Sequence, residues 1–219
     1  MNGLFISGTD TNVGKTYIAC LIAAELKSRG VNVIPRKPVE SGCSYSTDGL
    51  IPSDASALKK AAQYSASLQQ VCPFRFAQPV SPERAARLSK QSITIQQATE
   101  ACIKNIEEDT DFLLVEGAGG FYSPLCNDGL NADLAQALGL PILLITEDKI
   151  GCINQVLLTV EAMRNRNLQL HALVLNQLEV ESETSMDNFE DLSRRLNIPI
   201  IRHACNSSKI DLQLLEAFI

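Results

Sequence analysis

The loop at residues 8–16, GTDTNVGKT, carries the side chains best suited to chemistry in this sequence. Its Gly14-Lys15-Thr16 end is typical of a phosphate-binding loop, in which inward-pointing N–H groups at a helix start bind polyphosphate. In such a loop Lys15 reaches the β and γ phosphates, and the Thr16 hydroxyl ligates Mg²⁺. Five residues separate Gly8 from Gly14, one more than the usual spacing. The alternative interpretation is an ordinary glycine-rich helix start.

A second cation is expected near this loop. Lys37 follows an apolar run and is stiffened by Pro38 in the stretch RKPVESG, residues 36–42. A lysine at the end of a buried strand could neutralise charge on a transferring phosphoryl group or hold an anionic part of a substrate. The alternative is a lysine that faces solvent.

Two carboxylates are candidate metal ligands. Glu116 ends an apolar run and precedes GAGG, residues 117–120, which is how P-loop proteins present a metal-directed acid. The glycines allow a ligand to approach the backbone closely. Asp54 opens a helix in Ser53-Asp54-Ala55. Either Ser53 or Asp54 caps that helix, or the Asp54 carboxylate points at a metal above the phosphates.

Two later loops carry weaker candidates. The stretch Gly151–Asn154 begins a helix, whose free N–H groups could bind a carboxylate, although every helix has such an end. Asn176 follows another apolar run, where it could read the edge of a nucleobase or satisfy a turn.

Short apolar runs alternate with helical patterns along the chain. This predicts an α/β fold of the P-loop NTPase type, with a mostly parallel sheet of about six or seven strands and helices on both faces. Ligands bind at the carboxyl ends of such strands, so the polar loops are expected to lie together. The predicted strands are 4–7, 31–34, 111–115, 141–145, 170–175 and 198–201. The predicted helices are about 15–29, 53–64, 94–108, 130–138, 152–166, 183–196 and 209–218.

Residues 66–92 are the least regular part of the sequence and contain Pro73, Pro79 and Pro82. This composition predicts a loop with one short helix. The segment could form the wall of a pocket or a plain surface excursion.

Composition bounds the class of protein. A chain of 219 residues without a linker-like stretch is expected to form a single domain over 1–219. The net charge of −6 and the pI near 5.0 argue against nucleic acid or an anionic membrane as a partner. The sequence has no signal-like segment and no membrane-length apolar run, so a cytoplasmic protein is expected. The seven scattered cysteines form no CxxC pair, which predicts reduced thiols and not a zinc site.

Taken together, these motifs resemble the dethiobiotin synthetase family. GTDT-x-VGKT with its five-residue gap, KPV-x-SG, SDA, VEGAGG and KIGCIN occur in the family's order and approximate spacing, from residue 3 to about 177. The resemblance implies the same parallel α/β fold and a Mg²⁺-dependent cyclo-ligase. Its implied substrates are ATP, CO₂ or bicarbonate, and 7,8-diaminopelargonate. The implied route to dethiobiotin, ADP and phosphate passes through a carbamate and a carbamic–phosphoric anhydride.

The resemblance also implies roles for individual residues. Lys15 and Lys37 match the cations that flank the carbamate and the γ-phosphate. Ser41 matches a hydroxyl that binds the carbamate region, and Thr11 lies nearby. The implied Mg²⁺ ligands are Thr16, Asp54 and Glu116. The implied site for the substrate carboxylate, supplied across a homodimer interface, is Gly151, Cys152, Ile153 and Asn154. The implied nucleotide-binding positions are Asn12, Val13, Gly14, Lys15, Thr16, Tyr17, Asp54, Glu116, Gly117, Ala118, Gly119, Asn176 and Gln177.

Two departures from the family pattern stand out. Asn12 occupies a position often held by Glu, and residues 202–208 replace a Pro-containing loop that commonly surrounds the nucleobase. The second departure puts the selectivity for ATP over other nucleoside triphosphates in question.

The main rival function is a regulatory ATPase of the partitioning or division-site type. Such proteins carry a lysine four residues before the glycine that matches Gly14, where this chain has Asp10. The net negative charge and the missing basic amphipathic tail also oppose the rival.

Overall fold

A sheet of six parallel strands forms the centre of the protein, whose computed structural model describes residues 1–47, 49–107, 110–179 and 186–210. The strands are, in chain order, β1 (Asn2–Gly8), β2 (Asn32–Arg36), β3 (Val39–Ser41), β4 (Ser44–Ser46), β5 (Gly49–Ile51), β6 (Phe74–Phe76), β7 (Asp111–Glu116), β8 (Pro124–Cys126), β9 (Gly129–Leu130), β10 (Ile142–Glu147), β11 (Leu170–Asn176) and β12 (Ile200–His203). The order in the central sheet is β12-β11-β10-β1-β7-β2.

Helices cover both faces of this sheet. They are α1 (Lys15–Ser28), α2 (Ser53–Ala61), α3 (Leu68–Val71), α4 (Pro82–Leu88), α5 (Ile95–Ile103), α6 (Asn131–Leu138), α7 (Cys152–Asn165) and α8 (Asn188–Ser193). On one face, α1 and α2 pack on the alternate strand residues that include Leu4 and Ile6. On the other face, α5, α6 and α7 pack on the set that includes Phe5. Burial of each Leu or Ile side chain stabilises the fold by roughly 2 kcal/mol, so the two cores hold the helices against both faces of the sheet.

The strand register brings the candidate loops to one edge. Gly8 at the end of β1 pairs with Ile145 of β10, and Ile6 pairs with Glu116 of β7. Strand β2 lies on the other side of β7 and leads directly to Lys37. The phosphate-binding loop, Glu116 and Lys37 therefore emerge from three neighbouring strands.

The residue that precedes helix α1 has a backbone conformation that favours glycine. Gly14 occupies the position before the helix with φ of 91°, in the left-handed region that side chains disfavour. Ile18, Ile22 and Leu26 then recur at a spacing of four residues and are fully buried against the sheet. These contacts fix the axis of α1, and the N–H groups at the start of the helix face the loop at residues 8–16.

The predicted fold class is confirmed, and all six predicted strands are present in the central sheet. The prediction of a loop with one short helix for residues 66–92 is wrong. That segment contains α3, β6 and α4, and β6 pairs in parallel with β3. The predicted helix at 183–196 is seen from Asn188 to Ser193, while residues 180–185 and most of the helix at 209–218 lie outside the described residues.

None of the helices in the described ranges is both long enough and apolar enough to cross a bilayer. All seven cysteines are unpaired.

Candidate active site

A cavity of about 710 Å³ opens at the carboxyl edge of the central sheet. Most of the residues singled out in the sequence line it. These are Thr11, Asn12, Gly14, Lys15, Thr16, Tyr17, Lys37, Ser41, Asp54, Glu116, Ala118 and Gly119. Residues 79–82 form another part of its wall, so the segment 66–92 contributes to the pocket and is not only a surface excursion.

The phosphate-binding loop is held in shape by its own backbone and by Asn176. The Asn176 side-chain amide donates to the carbonyl of Val13 at 2.9 Å. A Cβ added to Gly14 would lie 2.1 Å from that amide nitrogen, so only glycine fits. Asn12 has φ of 60°, a left-handed conformation that asparagine tolerates better than glutamate does. Lys15 Nζ donates to the carbonyl of Asp10 at 2.7 Å, across the loop.

Lys37 lies at the centre of a buried ionic cluster. Its Nζ is 2.6 Å from Glu116 Oε1 and 3.2 Å from Asp54 Oδ2. Glu116 Oε1 also accepts a hydrogen bond from the Thr16 hydroxyl at 2.7 Å. The solvent-facing alternative for Lys37 is therefore wrong, since this lysine is 3% exposed.

The two lysines of the cavity have opposite pKa shifts. Burial, followed by the nearby charge of Lys37, lowers the pKa of Lys15 to about 8. Burial would also lower the pKa of Lys37, but the charges of Glu116 and then Asp54 outweigh it and raise that pKa. Lys37 thus keeps its proton at any pH near neutrality, whereas Lys15 loses its proton in the mildly alkaline range.

The site has the features of a Mg²⁺ site of the P-loop type. Glu116 Oε2 is buried and has no hydrogen-bond partner, so this oxygen is available as a metal ligand. Within the described part of the chain no group of three or more His, Cys, Asp or Glu side chains could hold a metal. A cation here would take its other ligands from the Thr16 hydroxyl, Asp54, water and phosphate oxygens, as Mg²⁺ does. The donor set therefore fits Mg²⁺ and not a softer metal.

Two hydroxyls and an apolar wall complete the cavity. Ser41 Oγ donates to the carbonyl of Val80 at 2.7 Å, which ties β3 to the segment 79–82. Thr11 is exposed at the rim, and its N–H donates to Asp10 Oδ1 at 2.7 Å. The site therefore combines a floor of paired lysines and carboxylates with a partly apolar side.

Several predicted residues lie apart from this cavity. The stretch Gly151–Asn154 at the start of α7 does not line it, and the neighbouring Ile150 is 74% exposed. Val13 is buried beneath the loop. Gln177 lies by the turn at residues 204–207, where its Oε1 accepts a hydrogen bond from the Cys205 N–H.

Sequence reasoning missed Glu40 and Asn131. The Glu40 carboxylate accepts hydrogen bonds from the N–H groups of Asp54 and Ala55, at 3.1 and 2.9 Å. Capping of α2 by Ser53 or Asp54 is therefore wrong. Asn131 holds the glycine-rich turn through both the N–H and the carbonyl of Ala118, at 2.8 and 2.6 Å. Pro52, which cannot cap through its side chain, was a sequence signal that the cap comes from elsewhere.

Curated relatives match this chain over most of its length. The family described as an AAA domain matches residues 2–207. The ATP-dependent dethiobiotin synthetase BioD of Ruthia magnifica subsp. Calyptogena magnifica is 38% identical over 179 residues, covering 82% of this chain and 81% of that protein. The protein of the same name from Baumannia cicadellinicola subsp. Homalodisca coagulata is 37% identical over 215 residues, covering 98% and 95%.

Solved structures share the fold at low identity. The MinC:MinD cell division protein complex of Aquifex aeolicus has a TM-score of 0.57 and 12% identity, covering 94% of this chain and 82% of that chain. The cell division protein FtsY of Thermotoga maritima has a TM-score of 0.52 and 12% identity, covering 95% of this chain but only 63% of that chain. At such identities the likeness shows the α/β P-loop fold alone.

Proposed function

The chain belongs to the family of ATP-dependent dethiobiotin synthetases, and from that premise we propose that it is a cyclo-ligase that makes dethiobiotin. Its substrates are then ATP, CO₂ or bicarbonate, and 7,8-diaminopelargonate. The observation that carries this proposal is the convergence of Lys15, Lys37 and Glu116 on one cavity at the carboxyl edge of the sheet.

The proposed reaction proceeds in three steps. One amine of the substrate adds to CO₂ and loses a proton, which gives a carbamate. A carbamate oxygen attacks the γ-phosphorus of ATP, and ADP leaves. The second amine attacks the carbonyl carbon of the resulting anhydride, phosphate leaves, and the ureido ring closes. None of these steps requires a protein nucleophile, so alignment and charge neutralisation are what the site must supply.

The two lysines supply the positive charge in this proposal. Lys15 reaches across the phosphate-binding loop, where its ammonium can contact the β and γ phosphates. Lys37 is positioned for the carbamate and the transferring phosphoryl group, because it lies between Glu116 and Asp54 at the base of the cavity. A fixed ammonium in a site with little water stabilises developing negative charge far more than it would in solution.

Hydroxyls and the apolar wall are proposed to orient the diamine. Ser41 donates to Val80 but keeps acceptor capacity on its oxygen, so it can bind an amine or carbamate N–H. Thr11 lies at the rim of the same cavity. The wall at residues 79–82 offers apolar surface for the alkyl chain of the substrate.

The proposed metal is Mg²⁺, held by Thr16, Asp54 and Glu116. When bound there, Mg²⁺ would neutralise negative charge on the phosphate groups. Lys37 contacts the same two carboxylates in this structure. It therefore holds them in place, and when the two carboxylates bind the metal instead, the Lys37 ammonium is left to face the phosphoryl group.

The substrate carboxylate is proposed to bind across a homodimer interface, at Gly151, Cys152, Ile153 and Asn154 of the second copy. The exposed apolar side chains near that helix start support an interface. Ile150, Leu158 and Tyr122 are 74%, 59% and 50% exposed.

We expect Leu158→Asp to weaken association and to raise KM for the diamine. A wild-type protein that sediments as a monomer at micromolar concentration contradicts the proposal.

The experiment that tests the function is phosphate release from ATP, with and without 7,8-diaminopelargonate and bicarbonate. We expect release to require both, and dethiobiotin to form in equal amount. ATP turnover that is indifferent to the diamine would refute the synthetase and favour the regulatory ATPase. The proposed enzyme is cytoplasmic, and its net charge of −6 opposes binding to nucleic acid or an anionic membrane.

The affinity for ATP is expected to fall as the pH rises above about 8. Lys15 is an ammonium below its lowered pKa and loses that charge above it, so binding of the nucleotide must restore the proton. In that range each further pH unit should weaken binding about tenfold. Calorimetric titration with a non-hydrolysable ATP analogue from about pH 7 to 9.5 measures this slope.

The matched variant for this titration is Lys15→Gln, which has no proton to lose. Its affinity should be weak and nearly independent of pH over the same range. A wild-type affinity that stays constant through that range would contradict the role given to Lys15.

A further inference from the structure

The start of helix α2 is capped from a distance. Pro52 precedes the helix and has no side-chain acceptor, so the first N–H groups of α2 have no local cap. Glu40 of β3 takes that place, with Oε1 on the Asp54 N–H at 3.1 Å and Oε2 on the Ala55 N–H at 2.9 Å. The Ser53 hydroxyl adds a third bond to Glu40 at 3.3 Å.

Glu40 is itself held firmly. It lies three residues after Lys37 and pairs with Arg75 in the two-stranded sheet of β3 and β6. The Lys37 N–H donates to the carbonyl of Val71 at 2.9 Å, which fixes the start of this segment. Glu40 is 4% exposed and lines the same cavity as Lys37 and Asp54. The cap therefore joins α2 to the strand segment that carries the central lysine.

Asp54 is constrained from two directions as a consequence. Its backbone N–H binds Glu40, and its carboxylate binds Lys37 Nζ at 3.2 Å. Its side chain is 43% exposed, so packing does little to fix it. The position of the helix start and the ion pair with Lys37 together then decide where the carboxylate points.

An ordinary cap at position 52 would stabilise α2 equally well. A buried acid beside another carboxylate is a costly way to obtain the same stability. Burial raises the pKa of the Glu40 carboxyl, the charge of Asp54 raises it further, and the N–H bonds from Ala55 and Asp54 oppose the shift. What Glu40 adds, and a local cap would lack, is the connection to the segment after Lys37.

We propose that Glu40 is a positioning residue for the divalent-metal site. By capping α2 it holds the Asp54 carboxylate opposite Glu116, beside the phosphate-binding loop. The inference rests on the proposed function, which makes Asp54 a metal ligand. Glu40 itself contacts neither the metal nor the reacting atoms in this proposal.

The test is binding of Mn²⁺ to the full chain with ADP present, followed by electron paramagnetic resonance, in wild type and in Glu40→Gln. Glutamine keeps the shape but presents an NH₂ group to one of the two N–H donors. We expect Mn²⁺ to bind about tenfold more weakly, as for other residues that orient a metal ligand. Binding of the nucleotide without metal should stay unchanged.

Thr94→Val is the matched control, since the Thr94 hydroxyl caps α5 by accepting the Gln97 N–H, away from the cavity. It should lower the thermal unfolding midpoint and leave the Mn²⁺ affinity as in wild type. If Glu40→Gln lowers the midpoint but binds Mn²⁺ like wild type, the cap is only structural and the inference is overturned.

Asp54→Asn separates this inference from the function on which it rests. If Asp54→Asn weakens Mn²⁺ binding and Glu40→Gln does not, the positioning role alone fails. If Asp54→Asn binds Mn²⁺ normally, the metal site itself is wrong and the inference falls with it. Glu40→Asp, which keeps the charge on a shorter side chain, replaces Glu40→Gln if the latter does not fold, and the same comparison applies.

Discussion

Replacing Lys37 by methionine is expected to lower the rate of diamine-dependent phosphate release about a thousandfold. Methionine keeps the length of the side chain and removes its charge. The lost interaction is strongest in the transition state, where negative charge develops on the transferring phosphoryl group. The reduction should therefore appear in kcat, with KM for ATP changed much less.

The same substitution has a structural consequence that must be measured separately. Glu116 would keep the Thr16 hydroxyl but lose its counter-charge, in a position where its side chain is fully buried. Breaking such a pair lowers the free energy of unfolding by about 3 kcal/mol. Activity is therefore compared at a temperature where the unfolding curve shows the variant fully folded, and at saturating ATP.

Lys60→Met provides the matched control, because Lys60 is an exposed lysine of α2 on the same side of the molecule. Its rate should equal that of wild type. A Lys37→Met enzyme within a few-fold of the wild-type rate would remove Lys37 from the mechanism and leave it as a structural cation.

The sequence predicted the fold well because its strands are buried on both faces. Runs such as 112–115 are continuously apolar and are followed by a polar residue, which is the pattern of a buried parallel strand. The weak point was the segment 66–92. Its strand β6 has three residues and is stabilised by pairing with β3, and neither length nor alternation marks such a strand in the sequence.

The candidate site divides in a similar way. Lys15, Lys37 and Glu116 follow neighbouring parallel strands, so strand order alone brings them together. Pro52 indicates that the cap of α2 is not local, but the sequence does not identify Glu40 or Asn131, because each binds backbone groups of another segment. Their hydrogen bonds depend on how β3 packs against the start of α2 and how the start of α6 packs against the turn at residues 117–120, which no sequence pattern records.

The second large effect is expected for Glu116→Gln, which should reduce kcat/KM for MgATP about a hundredfold and raise the Mg²⁺ requirement. The variant loses the carboxylate whose Oε2 is buried without a partner. It also changes Lys37, since the Glu116 charge is the main influence that raises the pKa of that lysine against the effect of burial.

The direction of the pH effect distinguishes these two consequences. In wild type the raised pKa keeps Lys37 protonated throughout the working range. With glutamine at position 116, burial still lowers the pKa of Lys37 while only the charges of Asp54 and Glu40 oppose it, so the proton is lost at lower pH. In wild type the alkaline limb of the rate profile follows Lys15, whose pKa is lowered to about 8. Because the Glu116 charge raises the pKa of both lysines, the limb should move toward neutrality in Glu116→Gln, even at saturating Mg²⁺. Glu25→Gln, which removes only the partly exposed partner of Arg29, should leave the profile and the Mg²⁺ requirement unchanged. If extra Mg²⁺ restores the full rate and the limb does not move, Glu116 acts through the metal alone and the charge of Lys37 does not depend on it.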